Sequence, residues 1–237
     1  MDGLLILAIE TATGCGSVAL TRGDAHSGTV LAEYSLYPEL AHSRRLLGMV
    51  EEILSAAQVS WQAIDALAVS QGPGSFTGLR IGMAAAQGLA FAVNKPLIGV
   101  PTLDALRAQV TQTNKTICCL LDARKNQVYA ALYRNGATSV SPDACLACTP
   151  AQLAARINEP TLCCGPGIRV CATILEAHPQ IEILPASLFF PRAASLGLVA
   201  AGLAGQGFPQ PPARPFYVRA SEAEINRDTQ HKKEVLS

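Results

Sequence analysis

The chain has 237 residues, 49% of them hydrophobic and only 15% charged, with 18 Lys and Arg balanced by 18 Asp and Glu. That length suits two small lobes that bury a core without covalent staples. The zero net charge argues against a broad basic surface, so nucleic acid is expected to be reached through a partner and only weakly by this chain alone.

Residues 4–9 are apolar and follow an acidic second residue, which reads as a strand and not as a leader segment. The apolar stretch 83–93 is broken by Gln87 and Gly88 and falls short of a membrane span. A soluble, cytoplasmic protein with no membrane attachment is therefore expected. The adjacent pairs Cys118-Cys119 and Cys163-Cys164 lie in apolar, strand-like runs, where cysteine acts as a small hydrophobe, so the eight cysteines are expected to be reduced.

In chain order, residues 4–10 form the first predicted strand, 11–16 a polar turn, and 17–20 a second strand that ends near Arg22-Gly23, together a hairpin. A helix is predicted over 42–58, because Leu46, Leu47, Val50, Ile53, Leu54 and Ala57 recur at three-and-four spacing behind Ser43 as N-cap. Its other face carries Arg44, Arg45, Glu51 and Glu52. AIDALAVS reads as a buried strand, Gly72-Pro73-Gly74 as a turn, and the residues up to Val93 as a helix capped by Ser75 or Thr77. PLIGV is a further strand, and Thr102 is the predicted cap of a helix LDALRAQ.

The second half repeats this order. TICCLLDARKNQVYAALY gives a hairpin around Asp122, and PTLCCGPGIRVCATIL gives a strand, Gly165-Pro166-Gly167 and a helix-like segment. Two matched features in one order indicate duplicated lobes. The expected division is 1–107 for the first lobe, 108–219 for the second, and 220–237 for a polar tail behind the proline-rich connector 205–215.

The stretch SQGPGSFTGLRIG supports two readings. Glycines before a helix N-terminus can cradle phosphate, with Glu10, Thr11, Gly72, Gly74 and Ser75 as candidate nucleotide contacts, although the Walker lysine is missing. Alternatively, the turn launches a packing helix: each interior glycine costs about 1 kcal/mol relative to alanine, and the small residues Gly78, Gly82, Ala84, Ala85, Ala86, Gly88 and Ala90 permit close backbone approach. The four histidines lie at no metal-binding spacing, and the cysteines 145, 148, 163 and 164 lack zinc spacing because the second pair is adjacent.

ILAIETATGCGSVAL, HSRRLL, SQGPGSFTGLRIGMAAAQGLA, PLIGVPTLDALRAQ, LLDARKNQVYAALY and PFYVR run in one order from Ile6 to Arg219 and together resemble the TsaB family, also called YeaZ. The resemblance implies an α/β ASKHA fold, the actin, Hsp70 and sugar-kinase architecture, built of two RNase H-like lobes. It also implies a non-catalytic subunit, with no catalytic residue and no cofactor of its own. Such a subunit dimerises with TsaD and works with the ATPase TsaE in installing threonylcarbamoyl on adenosine 37 of tRNAs reading ANN codons; metal and ATP belong to those partners. In TsaD the segment matching GVPTLDAL carries two metal-binding histidines, where this chain has Thr102 and Leu106.

The resemblance places the dimer interface on the helices matching 43–57 and 76–92. Leu46, Leu47, Val50, Ile53, Leu54, Gly82, Met83, Ala86 and Ala90 are the residues expected there, with a homodimer forming when the chain is alone. The competing expectation is an autonomous ASKHA enzyme, either a nucleotide-dependent phosphotransferase acting through Glu10, the Asp122 hairpin and the two Gly-Pro-Gly turns, or a glycoprotease-like enzyme. No HExxH, ordered Ser-His-Asp set or paired histidine supports the protease.

Overall fold

The computed structural model describes residues 3–36, 42–111, 113–139, 144–185, 190–205, 207 and 212–218. The side chain of Ser43, predicted to cap a helix, and the polar tail 220–237 lie outside the described residues.

The first strand, β1 (Leu5–Glu10), is an unbroken apolar run because it is buried on both faces. It pairs antiparallel with β2 (Gly16–Arg22), which pairs antiparallel with β3 (Thr29–Leu36). On its other side β1 pairs parallel with β4 (Ala66–Gly72), and β4 with β5 (Leu97–Pro101). The resulting order is β3-β2-β1-β4-β5.

The second sheet comprises β6 (Thr116–Asp122), β7 (Val128–Tyr133), β8 (Leu146–Cys148), β9 (Thr161–Cys164) and β10 (Ile181–Ile183) in the order β8-β7-β6-β9-β10. Its pairings repeat the first sheet strand for strand: two antiparallel, then two parallel. This duplicated RNase H-like order makes the molecule the two-lobed α/β ASKHA fold that the sequence indicates.

Helices α1 (His42–Ala56) and α2 (Phe76–Val93) cover one face of the first sheet. There Leu7, Ile9, Val18, Leu20, Leu67 and Val69 meet Leu46, Val50, Ile53, Met83 and Ala86. The other face presents Ile6, Ala8, Ala19, Ala66 and Ala68 to α6 (Ala193–Ala204). These small side chains let α6 come close: a Cβ on Gly197 would stand 2.4 Å from Thr21 Oγ1. Between the sheets, α3 (Thr102–Arg107) directs Ala105 toward the first and Leu103 and Leu106 into the core of the second. On the far side of the second sheet, Cys118, Leu120 and Val128 pack under α4 (Pro150–Ala154) and α5 (Ile168–Glu176).

Two expectations change here. The boundary at 107/108 separates the sheets but not the helices, because α6, assigned to the second lobe, packs on the first sheet. Its N-terminus is tied there by Ala193 N donating to Ser17 Oγ at 2.9 Å and Ala194 N donating to Glu33 Oε1 at 3.1 Å. In α3, Thr102 is the first helical residue and not the cap; Pro101 holds the cap position and makes no side-chain hydrogen bond.

By length and composition α2 could cross a bilayer, since it begins at Phe76, before the stretch singled out from sequence. Its Leu79, Met83, Ala86 and Ala90 are buried against the chain's own sheet, as in the core helix of a globular domain.

Gly78 and Gly82 press against the β1–β2 turn: a Cβ on Gly78 would lie 2.0 Å from the Thr11 carbonyl oxygen, and one on Gly82 2.1 Å from Thr11 Oγ1. Gly88 faces open space. Gly78→Ala is therefore expected to lower stability by about 1–3 kcal/mol through overpacking, whereas Gly88→Ala should raise it by about 0.5–1 kcal/mol through helix propensity. Urea unfolding of the two variants checks this; a stabilised Gly78→Ala would refute the close contact.

Candidate functional site

The two hairpin turns face each other across a cleft of about 440 Å³ between the lobes. The first lobe supplies Ala12, Thr13 and Gly14 from the β1–β2 turn and Gly74, Ser75, Phe76 and Thr77 from the start of α2. The second supplies residues 121–125 from the β6–β7 turn, with Pro166 and Arg169 from the second Gly-Pro-Gly turn and α5.

The two Gly-Pro-Gly turns are built alike. Gly72 and Gly165 both have φ of +113°, a conformation that side chains disfavour. Each turn is lashed to its lobe's first strand region: Ser75 N donates to Ala12 O at 2.7 Å, and Gly167 N donates to Leu120 O at 3.0 Å. Gly74 has no room for a side chain, since a Cβ there would meet Ala12 O at 2.3 Å. Ser75 caps α2 by accepting the Gly78 amide at 3.2 Å. The glycines of this stretch thus hold the helix start against the hairpin turn, and the cap leaves the helix N-terminus facing the cleft.

Among the candidate nucleotide contacts, Gly74 and Ser75 line the cleft, while Glu10, Thr11 and Gly72 do not. Glu10 is fully buried; its Oε1 accepts the Ala12 amide at 2.6 Å, and its Oε2 is buried without a hydrogen-bond partner. Burial pushes its carboxyl up to about 8, against the lowering effect of the Ala12 bond. Burial thus favours its protonated form, and the carboxyl is buried away from the lining of the cleft. Thr11 is turned inward and donates from Oγ1 to Gly78 O at 2.8 Å. Gly72 instead receives the C-terminal segment, with Phe216 N donating to Gln71 O at 2.5 Å.

The cations of the cleft were not singled out by the sequence reading. Arg124, Lys125 and Arg169 line it. Arg124, Lys125 and Asn126 take left-handed φ of +62°, +53° and +55° in succession, and Asp122 Oδ1 accepts the Arg124 amide at 2.7 Å. Three consecutive non-glycine residues in that region are uncommon; the signal available in sequence was the basic pair in DARKN. Thr13 adds a buried hydroxyl without a hydrogen-bond partner to the opposite wall. Arg80 lies beside the cleft, its guanidinium 3.9 Å from the Phe76 ring centroid and its Nε donating to Tyr217 Oη at 3.3 Å. The Arg44 side chain lies outside the described residues.

The expected partner residues require a larger correction. Leu46, Val50, Ile53, Leu54, Gly82, Met83, Ala86 and Ala90 are all buried inside this chain. Leu47, 53% exposed, is the one that faces outward. The apolar stripe read from periodicity is the stripe that covers the first sheet, because periodicity identifies a buried face without saying what buries it. The outer surface of the same two helices carries Leu47, Gly48, Ala84 and Gly88, with Phe91 91% exposed.

At the positions of the histidine pair, Thr102 is buried with no partner for its hydroxyl and Leu106 is packed in the second core. Cys163 and Cys164 point to opposite faces of their sheet, one into each core, so the set 145, 148, 163 and 164 does not converge. All eight cysteines carry free thiols.

The Glu10 environment sets a pH dependence. Folding keeps a proton that the unfolded chain releases near pH 4.5, so the stability from protonated Glu10 is complete below that pH and is lost as pH rises toward 8. Glu10→Gln should abolish this decline, leaving the variant more stable than the parent at pH 8 by on the order of a few kcal/mol. Thermal melts between pH 5 and pH 8 check it; parallel profiles for the two proteins would refute the assignment.

A family model described as TsaD, tRNA N6-adenosine threonylcarbamoyltransferase, matches residues 36–226. The tRNA threonylcarbamoyladenosine biosynthesis protein TsaB of Escherichia coli (strain K12) is 44% identical over 131 residues, covering 54% of each protein. Its namesake from Bacillus subtilis (strain 168) is 37% identical over 131 residues, 55% of this chain and 56% of that protein. The chain thus spans about half the length of the curated relatives it matches. Among solved structures, YeaZ from Pseudomonas aeruginosa is 31% identical with a TM-score of 0.69, covering 91% of this chain and all of that one. A second Pseudomonas aeruginosa structure, described as similar to peptidase YEAZ, gives 32% and 0.72 over the same shares. On these matches, the chain belongs to the TsaB (YeaZ) family.

Proposed function

We propose that the chain is a non-catalytic subunit of the machinery that places threonylcarbamoyl on N6 of adenosine 37 in tRNAs reading ANN codons, that it works in the cytoplasm, and that it pairs with a TsaD-type transferase. The observation that carries this reading is the outer face of α1 and α2. Phe91 and Leu47 stand exposed there beside Gly48 and Gly88, which have nothing within 4 Å of a would-be Cβ. Apolar side chains flanked by glycines suit a second helix pair seated close against them. The family match supports the choice of partner, and the same face closes on a second copy when the chain is alone. TsaE joins through the complex, tRNA is held through the complex, and metal and ATP sit in the partner subunits.

An autonomous phosphotransferase finds its support in the cleft cations Arg124, Lys125 and Arg169. Its expected carboxylate at the first hairpin, Glu10, is buried outside the lining of the cleft, and burial pushes its carboxyl up to about 8. Negligible ATP hydrolysis by the chain alone is the corresponding expectation.

The decisive experiment supplies tRNA and threonylcarbamoyl adenylate, whose adenylate is the leaving group, to the chain, the TsaD paralogue and TsaE, together and singly. Modification should require the full set, and activity of the chain alone would overturn the reading. Phe91→Asp should stay folded by circular dichroism while weakening association about 10- to 100-fold, the worth of one buried aromatic side chain. Ala86→Arg, by contrast, should unfold the protein, because Ala86 is fully buried in its own core. Undiminished association by Phe91→Asp in analytical ultracentrifugation would place the interface elsewhere, and a folded Ala86→Arg would refute the core position of Ala86.

A further inference from the structure

The two adjacent cysteine pairs of the sequence meet across one strand boundary. Strands β6 and β9 run parallel in a register that sets Cys118 beside Cys163 and Cys119 beside Cys164. Successive residues of a strand face opposite ways, so the first couple lies with Leu153 and Cys171 and the second with Leu106 and Tyr133. In that second core the thiols touch. Cys119 Sγ and Cys164 Sγ are 3.6 Å apart, fully buried, and share an S–H···S hydrogen bond.

We propose that Cys119 and Cys164 form a peroxide-responsive dithiol that closes to a reversible disulfide and fixes one wall of the interlobe cleft. The proposal goes beyond the partner reading and uses none of its residues.

Neighbouring strands lie about 4.8 Å apart, inside the Cα separation of roughly 4.4–6.8 Å that a disulfide spans. The sulfurs have only to draw together from contact distance while β6 and β9 keep their register. The cross-link sits at the root of two elements that line the cleft: Cys119 lies three residues before Asp122 and the β6–β7 turn, and Cys164 immediately precedes the second Gly-Pro-Gly turn. The bond from Gly167 N to Leu120 O, 3.0 Å long, ties the same two elements.

Burial holds the Cys119 thiol well above its ordinary range, so the closed core keeps the couple reduced. Reaction begins when the Gly-Pro-Gly turn opens and uncovers Cys164, the last residue of β9. The Cys164 thiolate attacks one oxygen of hydrogen peroxide; an S–O bond forms, the O–O bond breaks, and the released hydroxide takes up the thiol proton as water. The Cys119 thiolate then attacks the sulfenic sulfur; the S–S bond forms, the S–O bond breaks, and a second water leaves. Two thiols are oxidised and one peroxide is reduced to two waters. A dithiol reductant reverses the change by exchange.

The test treats the full chain with millimolar hydrogen peroxide and maps cysteine linkage by mass spectrometry before and after dithiothreitol. The peptides holding Cys119 and Cys164 should join with the loss of two hydrogen atoms and separate again on reduction. Fragmentation between the adjacent cysteines distinguishes a bond at 119 and 164 from one at 118 and 163, and this map of the parent decides whether or not the variants fold. Cys164→Ala, folded by near-ultraviolet circular dichroism, should form no such link, whereas Cys118→Ala should still form it. In the oxidised chain the Gly167 amide should exchange with deuterium at least about 5-fold more slowly, because its turn is pinned through Cys164. Thiols that merely fill the core would leave this rate unchanged. No link in the folded parent, a link through Cys118 and Cys163, a link that dithiothreitol does not open, or an unchanged Gly167 rate would each overturn the proposal.

Discussion

The approach of α2 to the β1–β2 turn is the contact on which the rest of the first lobe is arranged. Gly74, Gly78 and Gly82 fall on successive turns of the motif, and each would drive a Cβ into Ala12 or Thr11. Because the backbones touch, Ser75 N reaches Ala12 O and Thr11 Oγ1 reaches Gly78 O, so polar groups that would otherwise be stranded at the strand end find partners inside the protein. The helix start is thereby fixed beside one wall of the cleft, and its far half is aimed across the sheet with Met83, Ala86 and Ala90 downward. The outward orientation of Phe91 follows from that same rotation of the helix. The loss of helix propensity at Gly78 and Gly82 is offset by burial that no larger residue could permit.

Repetition of this scheme in the second lobe is close but not complete. Gly165 copies the φ of Gly72, and Gly167 N copies the bond made by Ser75 N. The helix that follows is α5, half the length of α2, with Cys171 and Leu175 turned to the sheet. The second hairpin turn carries Arg124 and Lys125 where the first carries Thr13 and Gly14. The cleft is therefore asymmetric in charge, with cations on one wall and hydroxyls and backbone amides on the other.

Much of the architecture was legible in the sequence. Apolar runs, hairpin turns and paired Gly-Pro-Gly signals gave both central hairpins, both parallel strands beside them, and the duplication. What escaped notice has physical causes. The helix α6 is apolar on every side, with Ala and Gly against the first sheet and Leu198, Val199 and Leu203 half-buried, so it shows no amphipathic period. The strand β3 lies at an edge with both faces half open, and its Thr, Glu, Tyr and Ser residues dilute the alternation. The site was less legible than the fold. The direction of a helix stripe depends on which surface meets it, and the raised carboxyl pKa of Glu10 depends on burial by residues distant in sequence; neither is written locally. Arg124 and Lys125 drew no attention because two basic residues in a turn look like ordinary surface until the opposite turn is placed across from them.

The position of α6 bears on how the molecule is made. Ala8, Ala19 and Ala68 of the first sheet wait for a helix that lies more than a hundred residues further along the chain, after the whole second sheet. During synthesis the first sheet is consequently covered fully on one face only, by α1 and α2, and by α3 alone on the other until Ala193–Ala204 leaves the ribosome. A nascent first half exposes a flat alanine-rich surface throughout that interval, and it gains its closing layer only after the second sheet has been made. The two halves are thus a single cooperative unit by construction, and cutting the chain between them leaves neither with a finished core.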